Sequence, residues 1–249
     1  MMPESIRERV ETLIATINIP ELFRQYNWKN DNWQDGFKEI LQLEKDLSTA
    51  AKEQRITTGH IIEIARWGGR RDIERIRCNK DPLVFSLYDG DEISAAIQND
   101  PVTAVRVLKD QTTGIGPTYI SKVLRFAAPL EYGVIDSRLV RVFGIGDEKS
   151  RKIHLLNLQA RPGKDGRWAI APVNWPGEYG TWIAILHQIA RNLNAAGIRC
   201  PHPKQFYDAG LRQSGEWLPA DVEMALFTYA SMAIYGRPDK SQHSPSSVQ

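Results

Sequence analysis

The chain has 249 residues, 42% of them hydrophobic, and a formal net charge of +2 at pH 7. That is enough apolar material for a sizeable core in one unit or two apposed lobes, and no apolar run reaches the length of a membrane span. The N-terminus lacks a signal-peptide pattern, and charge this balanced does not announce a nucleic-acid binder, so any DNA footprint must come from local clustering.

In chain order, helical periodicity predicts helices over 4–18, 31–54, 56–67, 91–98, 101–110, 117–127 and 137–143, with Pro82 and Pro129 as punctuation. The texture then changes. IHLLNLQA, an RPGKDG turn and RWAIAP predict a β-hairpin across roughly 153–172. Long helices return at 176–196 and 217–235, and the polar stretch 237–249 is expected to be disordered. This divides the chain into an N-terminal helical region (1–100), a central segment (101–145), a hairpin insertion with C-terminal helices (146–236), and the tail.

Two cysteines, Cys78 and Cys200, indicate a reduced compartment and cannot form a four-cysteine iron–sulfur site. The five histidines show no paired metal-ligand spacing. His202 lies nearest to a cysteine, Cys200, and reads as a surface coincidence. No metal site is expected.

The segment Thr113 to Phe143 carries the most information. Gly114 and Gly116 permit a tight turn that exposes backbone N–H groups, and Pro117 suits the first turn of a helix. Tyr119, Ile120, Val123, Leu124 and Ala127 form an apolar stripe on that helix. Thr118, Ser121, Lys122 and Arg125 recur on the opposite side, which is expected to be a cationic face turned to solvent. Amides and positive charge together suit a phosphate. Asp136 opens the next helix, either as an N-cap or as a functional carboxylate.

This segment resembles the helix-hairpin-helix DNA glycosylases, whose signature is a Gly-hydrophobic-Gly hairpin followed by an essential aspartate. Gly114, Ile115 and Gly116 match the hairpin, and Asp136 matches the aspartate. The resemblance implies a mainly α helix-hairpin-helix glycosylase fold with a small inserted β-hairpin. It also implies a monomer that flips a modified base out of double-stranded DNA and hydrolyses its N-glycosidic bond. Gly114, Gly116, Thr118, Lys122 and Arg125 would contact DNA. Bifunctional members carry a Schiff-base lysine two residues after the second glycine. Here Thr118 holds that position, so a monofunctional enzyme is expected, with Lys122 as the alternative amine.

The late helix resembles that of the 8-oxoguanine branch, placing Glu223 and Phe227 as base-reading and stacking residues on one face. Trp28, Trp33, Trp67 and Tyr88 offer further aromatic surface, with Trp67 assigned to the base pocket. The implied substrate is an oxidised purine or a hypermodified phage base, the latter in antiphage defence. The implied setting is the cytoplasm of a bacterium or archaeon, near the nucleoid. No cofactor is implied beyond a possible monovalent cation on the hairpin carbonyls. The competing class is a non-catalytic helix-hairpin-helix module that only grips the DNA backbone.

Overall fold

The computed structural model describes residues 3–163 and 166–236. The chain opens with α1 (Glu4–Thr16) and α2 (Ile19–Arg24), a turn absent from the predicted elements. Asn18 ends the first helix and caps the second, accepting from the Glu21 N–H at 3.0 Å. A small antiparallel pair, β1 (Asn27–Trp28) and β2 (Asp31–Asn32), leads into α3 (Lys38–Lys52). The predicted helix over 31–54 therefore starts late. The buried Asp31 carboxylate accepts from the Glu39 and Ile40 N–H groups at 3.3 and 2.8 Å, capping α3 from outside it.

After α4 (Thr58–Trp67) and a short 3₁₀ turn (Ile73–Arg75) come β3 (Arg77–Cys78), β4 (Tyr88–Asp89) and β5 (Glu92–Ile93). The β4–β5 pair delays the helix predicted at 91 to α5 (Ala95–Asn99). Next are α6 (Val102–Gln111), β6 (Thr112–Thr113), α7 (Pro117–Ala127) and α8 (Ser137–Phe143). The predicted hairpin is smaller than 153–172, being β7 (Ala160–Pro162) against β8 (Trp168–Ile170). The preceding IHLLNLQA run buries Leu155, Leu156 and Leu158 without becoming a paired strand. The chain closes with α9 (Gly177–Ala195), α10 (Lys204–Asp208), another turn absent from the predicted elements, and α11 (Pro219–Tyr235).

The architecture is mainly α with small antiparallel strand pairs. No helix among the described residues is long and apolar enough to cross a membrane. Residues 237–249, expected as a disordered tail, lie outside the described residues. One apolar cluster runs from Val10 to Ala230, so the N-terminal helices share their core with the rest of the chain. Helix α11 packs against α2, α8 and α9, while α7 packs against α3, α4 and α6.

Running through this core is a chain of buried charges. Arg125 donates to Glu44 at 2.9 Å, and Glu44 also pairs with Arg212. Arg212 meets Asp221 at 2.8 Å, and Asp221 meets His202 Nε2 at 2.9 Å. Burial would raise the Asp221 carboxyl, but Arg212 and His202 outweigh it and hold it well below the usual range. Two carboxylates thus balance two guanidiniums out of water. Removing one member should be far more damaging than any surface change. Glu44→Ala would leave two buried cations uncompensated and should cost about 3–5 kcal/mol of stability, read by denaturant unfolding. A loss below about 1 kcal/mol would mean that water reaches these charges.

Candidate functional site

Helix α7 is the backbone of the site, and its cationic side is not a solvated face. Ser121, Lys122 and Arg125 are 0%, 7% and 2% exposed, and every residue from Ile120 to Ala127 is buried. The expected surface contact of Lys122 and Arg125 with phosphate is therefore corrected. Packing of α3, α4 and α11 around α7 turns this side inward. Arg125 stays charged there because Glu44 meets it.

The hairpin ahead of α7 does lie at the surface. Gly114 is exposed at φ +80°, and a Cβ there would lie 2.2 Å from the Arg75 carbonyl oxygen, so only glycine fits. The β3–β6 pairing, Arg77 with Thr113 and Cys78 with Thr112, brings these backbones together. Gly116 has open space where a Cβ would stand, and Thr118 is half-buried one turn above Lys122.

Asp136 is an N-cap, and also more than one. Its Oδ1 accepts from the Arg138 and Leu139 N–H groups at 2.9 and 3.0 Å. Among the described residues, Oδ2 accepts nothing, and the side chain lines a pocket. The segment leading to it is clamped. Tyr179 donates to the Gly133 carbonyl at 2.9 Å, and the Trp182 indole donates to that of Val134 at 2.8 Å. Ser121 Oγ bonds both the N–H and the carbonyl of Ile135, at 3.1 and 3.2 Å. At Gly133 a Cβ would approach Leu186 Cδ1 to 2.4 Å and Glu223 Cβ to 2.8 Å, so α9 and α11 both press on this segment.

The pocket joins residues from five parts of the chain. Lys122 and Arg125 come from α7, Asp136 from the cap of α8, Glu223, Met224 and Phe227 from α11, and Trp67 from α4. Tyr26 and Trp28 come from the α2–β1 region. Trp33 and Tyr88 lie elsewhere, donating to the carbonyls of Pro201 and Ala127. Tyr26 and Arg138 were not identified by sequence reasoning. Arg138 follows Asp136 by two residues, and its guanidinium lies 5.1 Å over Trp28 and 4.9 Å over Phe227. Its sequence signal was proximity to the aspartate; Tyr26 had none.

Lys122 Nζ sits among aromatic faces, 4.8 Å from the Trp67 ring centre, 5.1 Å from Trp28 and 5.5 Å from Tyr119. Burial pushes its ammonium down to about 8, although Asp136 and Glu223 pull upward. Glu223, 4% exposed, is pushed up to about 8, again chiefly by burial. A neutral carboxyl can both donate and accept hydrogen bonds. The Trp67 indole N–H is buried with no acceptor among the described residues. The pocket therefore offers an amine near its neutral form, a carboxylate with one open oxygen, and donors facing an aromatic slot.

The remaining cluster is Cys200, His202 and Asp221, whose donor atoms lie within 4.8 Å of one another. All three are buried, which corrects the reading of His202 and Cys200 as surface neighbours. Asp221 is engaged by Arg212 as well as by His202. No protein-family model, no curated protein and no solved structure matches the chain.

The amine provides a direct check. In protein with ¹³C-labelled lysine, one Cε resonance should titrate near pH 8 and vanish in Lys122→Met, against about 10.4 for an ordinary lysine. Gly68→Ala should move that resonance, because the added methyl would stand 3.0 Å from Nζ. Titration of Lys122 at the ordinary value would place its ammonium in water and outside the pocket.

Proposed function

We propose that the protein is a DNA glycosylase in which Lys122 and Asp136 act together on the sugar of an extruded nucleotide. The observation that carries this reading is their meeting in one aromatic-walled pocket, directly behind a glycine hairpin that opens α7. A base inside a duplex is out of reach, so the nucleotide must leave the stack and enter such a slot. Phe227 and Trp28 would stack on the base, while Glu223 and the Trp67 indole would bond its edge. The substrate class is an oxidised purine. The pocket floor is closed by Ile40, Arg125 and Met224, which disfavours a base with a bulky appended group.

Thr118 occupies the position where the resembled family keeps its lysine, and Lys122 lies one helical turn, about 6 Å along the axis, further in. Near pH 8 its amine has a free lone pair. The Nζ–C1′ bond forms as the C1′–N bond to the base breaks, and the electron pair leaves on the base, which takes up a proton. The proton lost from Nζ passes to the open oxygen of Asp136. While positive charge builds on the sugar, the Asp136 carboxylate stabilises it. Ring opening then gives an imine, from which strand cleavage follows.

The second reading is hydrolysis by a water that Asp136 orients, and the open Oδ2 favours it. A non-catalytic grip on DNA has no use for a lysine caged by three rings, nor for a carboxylate at the mouth.

Asp136→Asn should lower base release from oxidised-purine duplexes at least about 100-fold with folding retained, on the scale of lost electrostatic stabilisation. Borohydride should trap a covalent protein–DNA adduct in the wild type, more efficiently as pH rises towards 8 and Lys122 deprotonates. Lys122→Ala should abolish the adduct. Base release with no adduct at any pH would leave the hydrolytic reading. No base release from any modified-base duplex would remove both.

A further inference from the structure

The β7–β8 hairpin forms no wall of the pocket, yet three contacts fix its direction along α8. Its base is tied to the C-terminal end of that helix. The Ile145 N–H donates to the Leu158 carbonyl at 2.7 Å, and the Ala160 N–H donates to that of Ile145 at 3.3 Å. Gly146 has no room for a Cβ, which would lie 2.6 Å from the Ala160 carbonyl oxygen. Midway, the Arg141 guanidinium covers the Trp168 ring at 4.3 Å and is held by Asp147 at 2.7 Å. Nearer the tip, Arg167 is close enough to Tyr119 for its charge to act on the phenol. Tyr119 in turn bonds the Gly68 carbonyl at 3.3 Å and borders Lys122. The hairpin therefore runs back along α8 towards Asp136, and its tip reaches the pocket mouth beside the start of α7.

The register sorts its two faces. Ala160 pairs with Ile170 and Pro162 with Trp168, while Arg161 pairs with Ala169 and the Gly163 N–H donates to the Arg167 carbonyl at 2.7 Å. Alternation puts Ala160, Trp168 and Ile170 on the face towards α8. Arg161, Ala169 and Arg167 share the outer face, and all three are exposed. Arg161 makes no ion pair among the described residues, its guanidinium bonding only the neutral Gln159 at 2.8 Å. The outer face is a narrow cationic ribbon with no large apolar side chain to receive a protein partner.

We propose that β7–β8 is a DNA arm. Arg161 and Arg167 neutralise backbone phosphates beside the extruded nucleotide, so the duplex is gripped by the 112–116 hairpin on one side of the mouth and by this arm on the other. The two arginines are diagonal neighbours on one face, about 7–8 Å apart at their bases, and long enough to address phosphates of the same strand. The inference rests on the glycosylase reading, because it takes duplex DNA as the ligand.

The test uses the full chain, a short duplex carrying a tetrahydrofuran abasic site, and the Arg161→Ala/Arg167→Ala double variant. Both changes are at exposed positions, so the melting temperature should be unchanged. The slope of log affinity against log salt should fall by about two units, close to 0.9 for each phosphate released. Phosphate-ethylation interference should lose contacts on one side of the abasic site only, and base release at saturating DNA should keep its wild-type rate. If the wild type binds the duplex and the double variant keeps both slope and footprint, the arm is refuted while the glycosylase reading stands. If the wild type shows no salt-dependent duplex binding, both fall together. Symmetric loss of every contact would also refute the arm, since it would mean that the substitutions disturbed the fold.

Discussion

Everything at the candidate site depends on burying the polar side of α7. A helix with cations on one face would ordinarily turn them to water, because taking an ion out of solvent carries a penalty of several kcal/mol. Here α3 and α11 close over that face, and the two cations are accommodated differently. Arg125 meets Glu44, which meets Arg212, which meets Asp221, so the guanidinium keeps its charge within a neutral chain of partners. Lys122 has no printed ion pair or hydrogen bond of its own and stands among Trp28, Trp67 and Tyr119. Its ammonium is lowered as a result, which is the property an amine nucleophile needs.

The carboxylates around it are divided in the same way. Asp136 is half-buried and anchored through one oxygen at a helix N-terminus. Glu223 is enclosed on α11 and pushed towards its neutral form. Two acids in one pocket thus take different protonation roles because their surroundings differ. Rigid support accompanies this division. Tyr179, Trp182 and Ser121 hold the backbone from Gly133 to Ile135, so Asp136 enters the pocket at a set position. Such fixed placement is what electrostatic stabilisation of a transition state requires, since dipoles and charges must not reorganise during the reaction. The aromatic residues on the opposite wall come from the N-terminal helices and the small β1–β2 pair. This gives the otherwise unplaced first third of the chain a direct part in shaping the site.

Much of this was legible in the residues themselves. Helices over 117–127 and 137–143 follow from periodicity, from Pro117 at a first turn and from Asp136 as a cap, all local effects that a short peptide already contains. The spacing of Glu223 and Phe227 puts them on one face by helix geometry alone, and a hairpin near 160–170 follows from its turn residues. What periodicity could not supply was the side of α7 that faces inward. Its apolar and polar stripes are both buried, because a central helix is surrounded by neighbours drawn from distant sequence. The same holds for Asp31 capping α3 across a turn, for Tyr26 and Arg138 joining the pocket, and for the burial of Cys200 and His202. Local sequence determined which helices form and which residue types could do chemistry. Tertiary packing alone decided which of those residues meet away from water, because desolvation is set by everything that closes around a side chain and not by the residues next to it in the chain.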